Sequence, residues 1–342
     1  MNRPTQRVIR QPGGIAVKKK PLLIIAAVLA GIILLLILLA PTLSQAIYGR
    51  SLAATIMAWQ FHKDAYTTDE AFAAYLAEKS AENARPYTMP EDAEITVPAE
   101  AVEFGGLPGY VLNGGSGTVI FYFTGGSYID QPRSVQWAFA GALAADTGAA
   151  VVVPIYPKLP DSDAAASYAA VTAFVEGYLA GTDADRVIFL GDSAGGGMAL
   201  SLAMQLRDLN LPGPDRLILI CPWVDVSMTN PDIPAYEAHD PALDSAMLAH
   251  LGAIWAGDRG VTDPVVSPLY GSFEGLCDVT LFTSTGELLY PDIMLLDAAL
   301  TDAGVAHETV EETGIFHVWP LYAAFNLPES VEAYGVIVSA IG

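Results

Sequence analysis

The sequence predicts an α/β fold: a mainly parallel central sheet with helices on both faces, preceded by one long apolar helix. Three observations carry that expectation. Short runs rich in β-branched and aromatic residues recur at 119–123, 149–154, 186–190, 216–221 and 279–284, as in strands buried on both faces. Helical stretches separate them at 134–147, 164–180, 196–209 and 290–303, and strand–helix alternation of this kind builds a parallel sheet. Residues 22–40 are 19 consecutive residues without a polar side chain.

The other elements follow from the same signals. Residues 42–84 read as helical, with apolar positions at Ile47, Leu52, Ile56, Trp59 and Phe61. Residues 86–98 read as loop with a short strand at 94–97, and a second short strand at 109–112 is closed by Asn113-Gly114-Gly115. A last strand is expected at 307–312 and a terminal helix at 328–341. The rhythm breaks between Cys221 and Val279, where 57 residues carry six prolines and one helix candidate at 243–255. An insertion at the C-terminal ends of strands is where a lid over a pocket is built. Residues 42–85 and 225–270 are therefore expected to be cap elements, with Trp255 and Tyr270 in the pocket lining.

The 342 residues, less the first 40, leave enough chain for one large core. Charge is split between the two parts. Residues 1–40 hold six of the 16 basic residues and none of the 38 acidic ones, which leaves 10 against 38, a net charge of −28, on the rest. Such a field repels nucleic acid and disfavours anionic substrates. At 1.5 Å per residue the apolar run comes close to the ~30 Å of a bilayer core. Lys18, Lys19 and Lys20 precede it, so the N-terminus is expected in the cytoplasm and the rest outside. The expected layout is a basic tail at 1–20, a transmembrane signal anchor at 21–41 that contacts the lipid bilayer, and one folded domain at 42–342. Ser44 and Ala46 have the spacing of a signal-cleavage site, and cleavage there would give a secreted chain. Cys221 and Cys277 fall at opposite ends of neighbouring strands, roughly 15 Å apart at ~3.3 Å per residue. A disulfide needs Cα atoms within ~7 Å, so two free thiols are expected, without metal-site spacing.

Chemistry concentrates in three places. Gly191-Asp192-Ser193-Ala194-Gly195 follows a strand and opens a helix. In that context G-x-S-x-G is a sharp strand-to-helix turn that thrusts the serine out, so Ser193 is the expected nucleophile. Thr124-Gly125-Gly126-Ser127 directly follows the strand at 119–123. Backbone N–H groups there can hold the negative charge that develops on a carbonyl oxygen during acyl transfer, and Gly125, Gly126 and Ala194 are the expected donors. His317, in the loop after the last strand, is the one of five histidines placed to act as base. The orienting acid should follow the preceding strand. Glu287 holds that place, and Asp292 is the reserve. The order Ser193, Glu287, His317 is that of a strand-mounted triad.

Taken together, FYFTGGSYIDQP (121–132), VVVPIYPKLPDS (151–162), GDSAGGGMAL (191–200), LILICPWVD (217–225), SPLYG (267–271), ELLYPD (287–292) and GIFHVWPL (314–321) resemble the hormone-sensitive-lipase-like group of α/β-hydrolases, its carboxylesterases and acetyl esterases. The resemblance spans roughly residues 105–340. It implies an α/β-hydrolase fold with an eight-stranded sheet, a small helical cap built from the N-terminal segment, and a Ser–acid–His triad without metal or organic cofactor. Two positions depart from the family pattern. Thr124 stands where the family has a loop-holding His, and its hydroxyl is expected to make similar hydrogen bonds. Glu287 stands where the acid is usually Asp.

The expected activity is hydrolysis of small carboxylic esters, short-acyl or acetyl by analogy with the family. An amidase or acyltransferase on the same site is the alternative. A binding protein that keeps the fold but has lost turnover, and a membrane scaffold, are the readings from other classes.

Overall fold

The computed structural model describes residues 19–63, 66, 68–93 and 95–342, and of residues 19–27 only the helical backbone. The basic tail expected at 1–20 lies outside that description, apart from the backbone of its last two residues. Helix α1 (Lys19–Tyr48) runs past the expected end of the apolar segment, through Pro41. It is followed by α2 (Leu52–Ala58) and α3 (Asp69–Asn83). Among the described residues it is the one helix long and apolar enough to cross a membrane, over Val28–Tyr48 with a mean hydropathy of 2.3.

A hairpin opens the sheet. The first strand is β1 (Ala99–Phe104), not 94–97; Glu94 lies outside the described residues and 95–97 are not strand. β1 pairs antiparallel with β2 (Leu107–Leu112) across Gly105-Gly106. Both glycines have positive φ, 58° and 79°, as a two-residue hairpin turn needs. β1 is an exposed edge strand carrying Glu100 and Glu103, so its polarity hid it from a search for apolar runs.

The remaining elements come in the expected order: β3 (Thr118–Phe123), α4 (Ser134–Thr147), β4 (Ala150–Pro154), α5 (Ala164–Ala180), β5 (Arg186–Asp192), α6 (Ala194–Asp208) and β6 (Arg216–Ile220). The insertion contributes α7 (Ile233–Glu237) and α8 (Ser245–Ala256), and β7 (Asp278–Ser284), α9 (Tyr290–Asp302), β8 (His307–Glu312) and α10 (Pro328–Ile341) complete the chain. The eight strands form one sheet in the order β1-β2-β4-β3-β5-β6-β7-β8, parallel from β4 to β8.

The crossovers explain the layers. From β3 the chain moves one way to β4 through α4, then returns past β3 to β5 through α5. Right-handed crossovers in opposite directions lie on opposite faces. α6 and α9 continue in the direction of α5 and share its face, while α10 packs back on α4. Both faces of the central strands are thereby covered: every residue of β4 and residues 119–123 of β3 are buried. The register pairs Phe123 with Gly191 and Leu190 with Ile218. The C-terminal ends of β3, β5 and β6 therefore share one edge with those of β7 and β8, and the loops that leave that edge carry residues 124–127, Ser193, Glu287 and His317. Both cysteines are free, Cys221 buried just past β6 and Cys277 half-buried just before β7.

Candidate active site

Ser193 sits between β5 and α6 with φ 54° and ψ −123°. A non-glycine residue in that region is strained, and only surrounding structure can hold it there. Its N–H donates to Ile220 O at 2.8 Å, and its own carbonyl accepts from Gly196, Gly197 and Trp223 N–H at 2.9, 3.1 and 2.9 Å. The turn tolerates no side chain at its flanks. A Cβ on Gly195 would stand 1.9 Å from Phe123 O, and one on Gly191 would stand 2.2 Å from Gly195 O.

His317 and Glu287 meet at the same edge. His317 Nδ1 and Glu287 Oε2 are 2.5 Å apart, and both residues are buried. Glu287 is fixed in turn: its Oε1 accepts from Ser284 N–H at 3.0 Å and Thr283 Oγ1 at 3.3 Å. Burial alone would depress the His317 pKa, but the hydrogen bond and charge of Glu287, with the charges of Asp240 and Asp192, outweigh it and raise the pKa above its ordinary value. His317 Nε2 is buried and has no hydrogen-bond partner among the described residues. It and Ser193 line one cavity of about 210 Å³. Contacts between base and nucleophile are commonly loose before substrate binds.

Asp292 is elsewhere. Its Oδ1 accepts from Asn230 Nδ2 at 2.7 Å, and burial pushes its carboxyl up to about 6. It makes no contact with His317 among the described hydrogen bonds. Of the two candidate acids, the geometry brings Glu287 alone to the histidine.

The loop after β3 differs in detail from expectation. Gly125 N–H donates to Asp192 Oδ1 at 3.0 Å, so it is not free to face a substrate oxygen. Asp192 Oδ1 also accepts from Tyr122 OH at 2.7 Å, and its Oδ2 accepts from Gln136 Nε2 at 2.9 Å. Burial raises the Asp192 carboxyl pKa even though these three donors pull it down. Thr124 Oγ1 is buried without a partner among the described residues, so the expected hydroxyl bonds are not made. The loop is held instead by Asp192, and by Tyr156 OH donating to Thr124 O at 2.7 Å. The next N–H groups are those of Gly126 and Ser127, at φ 122° and 52°. Neither they nor Ala194 N–H meet a protein acceptor among the described hydrogen bonds. Ser127 lines the cavity beside Ser193.

The cavity walls come from both segments expected to form a cap. Phe61, His62 and Tyr75 contribute from the N-terminal side; Ala242, Leu243, Met247, Leu248 and Leu251 contribute from the insertion. Trp255 and Tyr270 do not line it. Trp255 lies near the C-terminal end of α8, past the cavity, where its ring stacks on Tyr128 at 3.8 Å and is fully buried. Tyr270 is 45% exposed, with its hydroxyl on Asp225 Oδ2 at 2.9 Å.

Two residues near the His317–Glu287 pair carry no motif that a sequence reading could use. Asp240 is buried in the insertion; its Oδ2 accepts from Leu288 N–H at 2.8 Å, and its Oδ1 from Ala242 and Leu243 N–H at 2.7 and 2.9 Å. It ties cavity-lining residues to the turn of Glu287. Cys221 Sγ accepts from Val318 N–H at 3.3 Å. It also lies with a Glu287 oxygen and a His317 ring nitrogen in a group whose ligand atoms are all within 4.8 Å of one another. A metal ligand would have to be the thiolate, and burial together with Glu287 pushes that thiol well above its ordinary pKa. Glu287 and His317 also spend their facing atoms on each other, so this donor set suits an acid–base pair better than a cation.

Comparisons with known proteins bear on the family and the fold. The chain is 32% identical over 222 residues to an acetyl-hydrolase of Streptomyces hygroscopicus, covering 64% of this chain and 74% of that one. It is 28% identical over 213 residues to a triacylglycerol lipase of Mycobacterium tuberculosis, covering 62% of this chain and 44% of the lipase. The crystal structure of an esterase from the bacterial hormone-sensitive lipase family superposes with a TM-score of 0.70 at 22% identity, covering 84% of this chain and 95% of that one. The model of a family described as the alpha/beta hydrolase fold matches residues 120–321, and the chain belongs to that family.

Proposed function

We propose that the chain is a serine carboxylesterase in which Ser193, His317 and Glu287 form the triad. The observation that carries this reading is the strained turn at Ser193 opening into the same cavity as the His317–Glu287 pair. Ser193 Oγ attacks the ester carbonyl as His317 Nε2 takes its proton. Negative charge on the former carbonyl oxygen is held by the N–H groups of Gly126, Ser127 and Ala194. Ser127 replaces Gly125 in this role, because the Gly125 donor is committed to Asp192. His317 then protonates the departing alcohol, leaving the acyl group on Ser193. Water, deprotonated by His317, releases the acid and restores the serine.

The small cavity and its aliphatic wall support short acyl chains, and the acetyl-hydrolase name of the Streptomyces relative supports an acetyl group among them. Residues 42–85 and 225–270 act as the cap. The apolar helix serves as a membrane anchor with the N-terminus in the cytoplasm and the catalytic domain outside. The exposed side chains of its residues 28–39 support contact with lipid. The test is hydrolysis of p-nitrophenyl esters, acetate through octanoate, by the chain and its Ser193→Ala variant. Turnover that falls with chain length and disappears in the variant is expected. A variant as active as the native chain would remove Ser193 from the mechanism.

A further inference from the structure

The end of the apolar helix is built into the loop that carries His317. Ser44, in its last turns, is 4% exposed, and its Oγ lies 2.9 Å from Arg50 O, 3.0 Å from Ser51 O and 2.7 Å from Thr55 Oγ1. These contacts fold residues 44–55 into a hook. Glu329 of α10 holds the hook from outside, accepting from Ser51 N–H and Oγ at 2.6 and 3.0 Å. Arg50, only 7% exposed, reaches through it: Nε donates to Thr55 Oγ1 at 3.2 Å and Nη1 donates to Gly314 O at 2.8 Å.

Gly314 is three residues before His317, and the fit around it is close. A Cβ there would stand 1.8 Å from Tyr48 O, and one on Gly49 would stand 2.7 Å from Thr313 Cγ2. From the other side, Gly314 N–H donates to Thr285 Oγ1 at 2.9 Å, and Ser284 Oγ donates to Ile315 O at 2.7 Å. The loop bearing His317 is thus gripped between the loop bearing Glu287 and the hook that ends the apolar helix. Phe61 extends the grip, its ring 4.9 Å from that of Phe316.

We propose that Arg50 is a positioning residue for His317: by binding Gly314 O from the hook, it fixes the base against Glu287 and ties the catalytic geometry to the docked end of the anchor helix. This rests on His317 being the base. Misplacing a catalytic group by about 1 Å can cost on the order of 100-fold in rate, so even a small release of the loop should be visible.

The test uses the full chain in detergent, with Arg50→Met, Arg50→Lys and Thr55→Val. Arg50→Met is expected to lower kcat on a p-nitrophenyl ester at least tenfold with KM within twofold, while far-UV circular dichroism stays native. The acid limb of its kcat/KM profile should move to lower pH, because a loosened Glu287 contact no longer raises the base. Arg50→Lys, which keeps one donor, should recover part of kcat. A folded Arg50→Met with native kcat and an unmoved acid limb would overturn the proposal. If Arg50→Met does not fold, Thr55→Val decides: it frees the guanidinium on one side, and a kcat equal to native would overturn the proposal, whereas a severalfold fall with unchanged KM supports it. Lack of turnover in the native chain would instead sink the esterase reading, so the two failures are distinct.

Discussion

Glu287 lies in the turn before α9 and Asp292, five residues on, in the first turn of that helix; both are buried, in different surroundings. Glu287 faces His317 and is surrounded by donors. Asp292 has one donor, an oxygen without a partner among the described residues, and a carboxyl raised to about 6. Glu287→Gln should leave the fold intact but remove the charge that stabilises the imidazolium, lowering kcat by on the order of 10³–10⁴. Asp292→Asn should leave kcat within a few fold. It should also stabilise the protein, and the sign follows from the raised carboxyl. The protonated form is favoured in the fold, so the native state is relieved of any penalty below the unfolded pKa of 3.8 and bears it in full above about 6. A shift of that size corresponds to about 3 kcal/mol at most. Thermal melts of native and Asp292→Asn chains should therefore diverge at pH 7.5 and converge near pH 4. Equal Tm at pH 7.5 would remove this account, and a large loss of kcat would favour Asp292, the reserve acid, over Glu287. The base makes its own prediction. Because Glu287, Asp240 and Asp192 raise His317 above 6.5, and only neutral imidazole takes the serine proton, kcat/KM should begin to fall with acid at a pH above 6.5. A limb centred below 6.5 would mean that burial outweighs the carboxylates.

At the scale of elements, α8 divides its work along the length of one face, since Leu248, Leu251 and Trp255 are spaced as neighbours on a helix. Trp255, near the C-terminal end, packs on Tyr128, while Met247, Leu248 and Leu251, about one to two turns earlier, reach the cavity. Replacing Leu251 by Trp should fill cavity space and shift the chain-length profile further toward acetate, leaving acetate turnover within a few fold. A profile unchanged across acetate, butyrate and octanoate would mean that the acyl group lies elsewhere. This division also marks where the sequence stopped being informative. The strands β3 to β7 were legible because each is a short buried apolar run, and α4, α5, α6 and α9 because parallel strands need a crossover after each. That Ser193 and His317 would meet at one cavity was legible because both sit in loops at the C-terminal edge of that sheet. Where along that face the cavity ends depends on contacts with Tyr128, more than a hundred residues earlier, and no local pattern records it. The edge strand β1 was hidden by its own glutamates, although Gly105-Gly106 was a usable turn signal. Gly125 was misassigned for the same kind of reason. Only the folded turn shows that Asp192, the variable position of G-x-S-x-G, has taken its N–H.

For the whole molecule, the question is whether the apolar helix stays with the domain. Its residues 28–39 expose apolar side chains, Ile37 at 62% and Leu38 at 67%, an area that soluble proteins rarely leave to water. A bilayer removes that penalty, whereas signal cleavage removes the helix itself. The two outcomes differ in what they do to the domain. The small-residue pair that could mark a cleavage site, Ser44 and Ala46, lies inside α1, and Ser44 is buried with three oxygens around its hydroxyl. Cutting after Ala46 would take Ser44 from the hook and leave Thr55 and the Arg50 turn without that partner. Leaving buried polar groups unpaired costs about 1–3 kcal/mol each. A helix that donates a buried residue to the catalytic domain is better read as part of it. The chain expressed with its N-terminus intact in a bacterial host, purified from washed membranes, should therefore show the full 36.1 kDa by intact mass and should resist alkaline carbonate extraction. A dominant soluble species beginning at Ile47 would establish cleavage, and the hook would then have to close without Ser44.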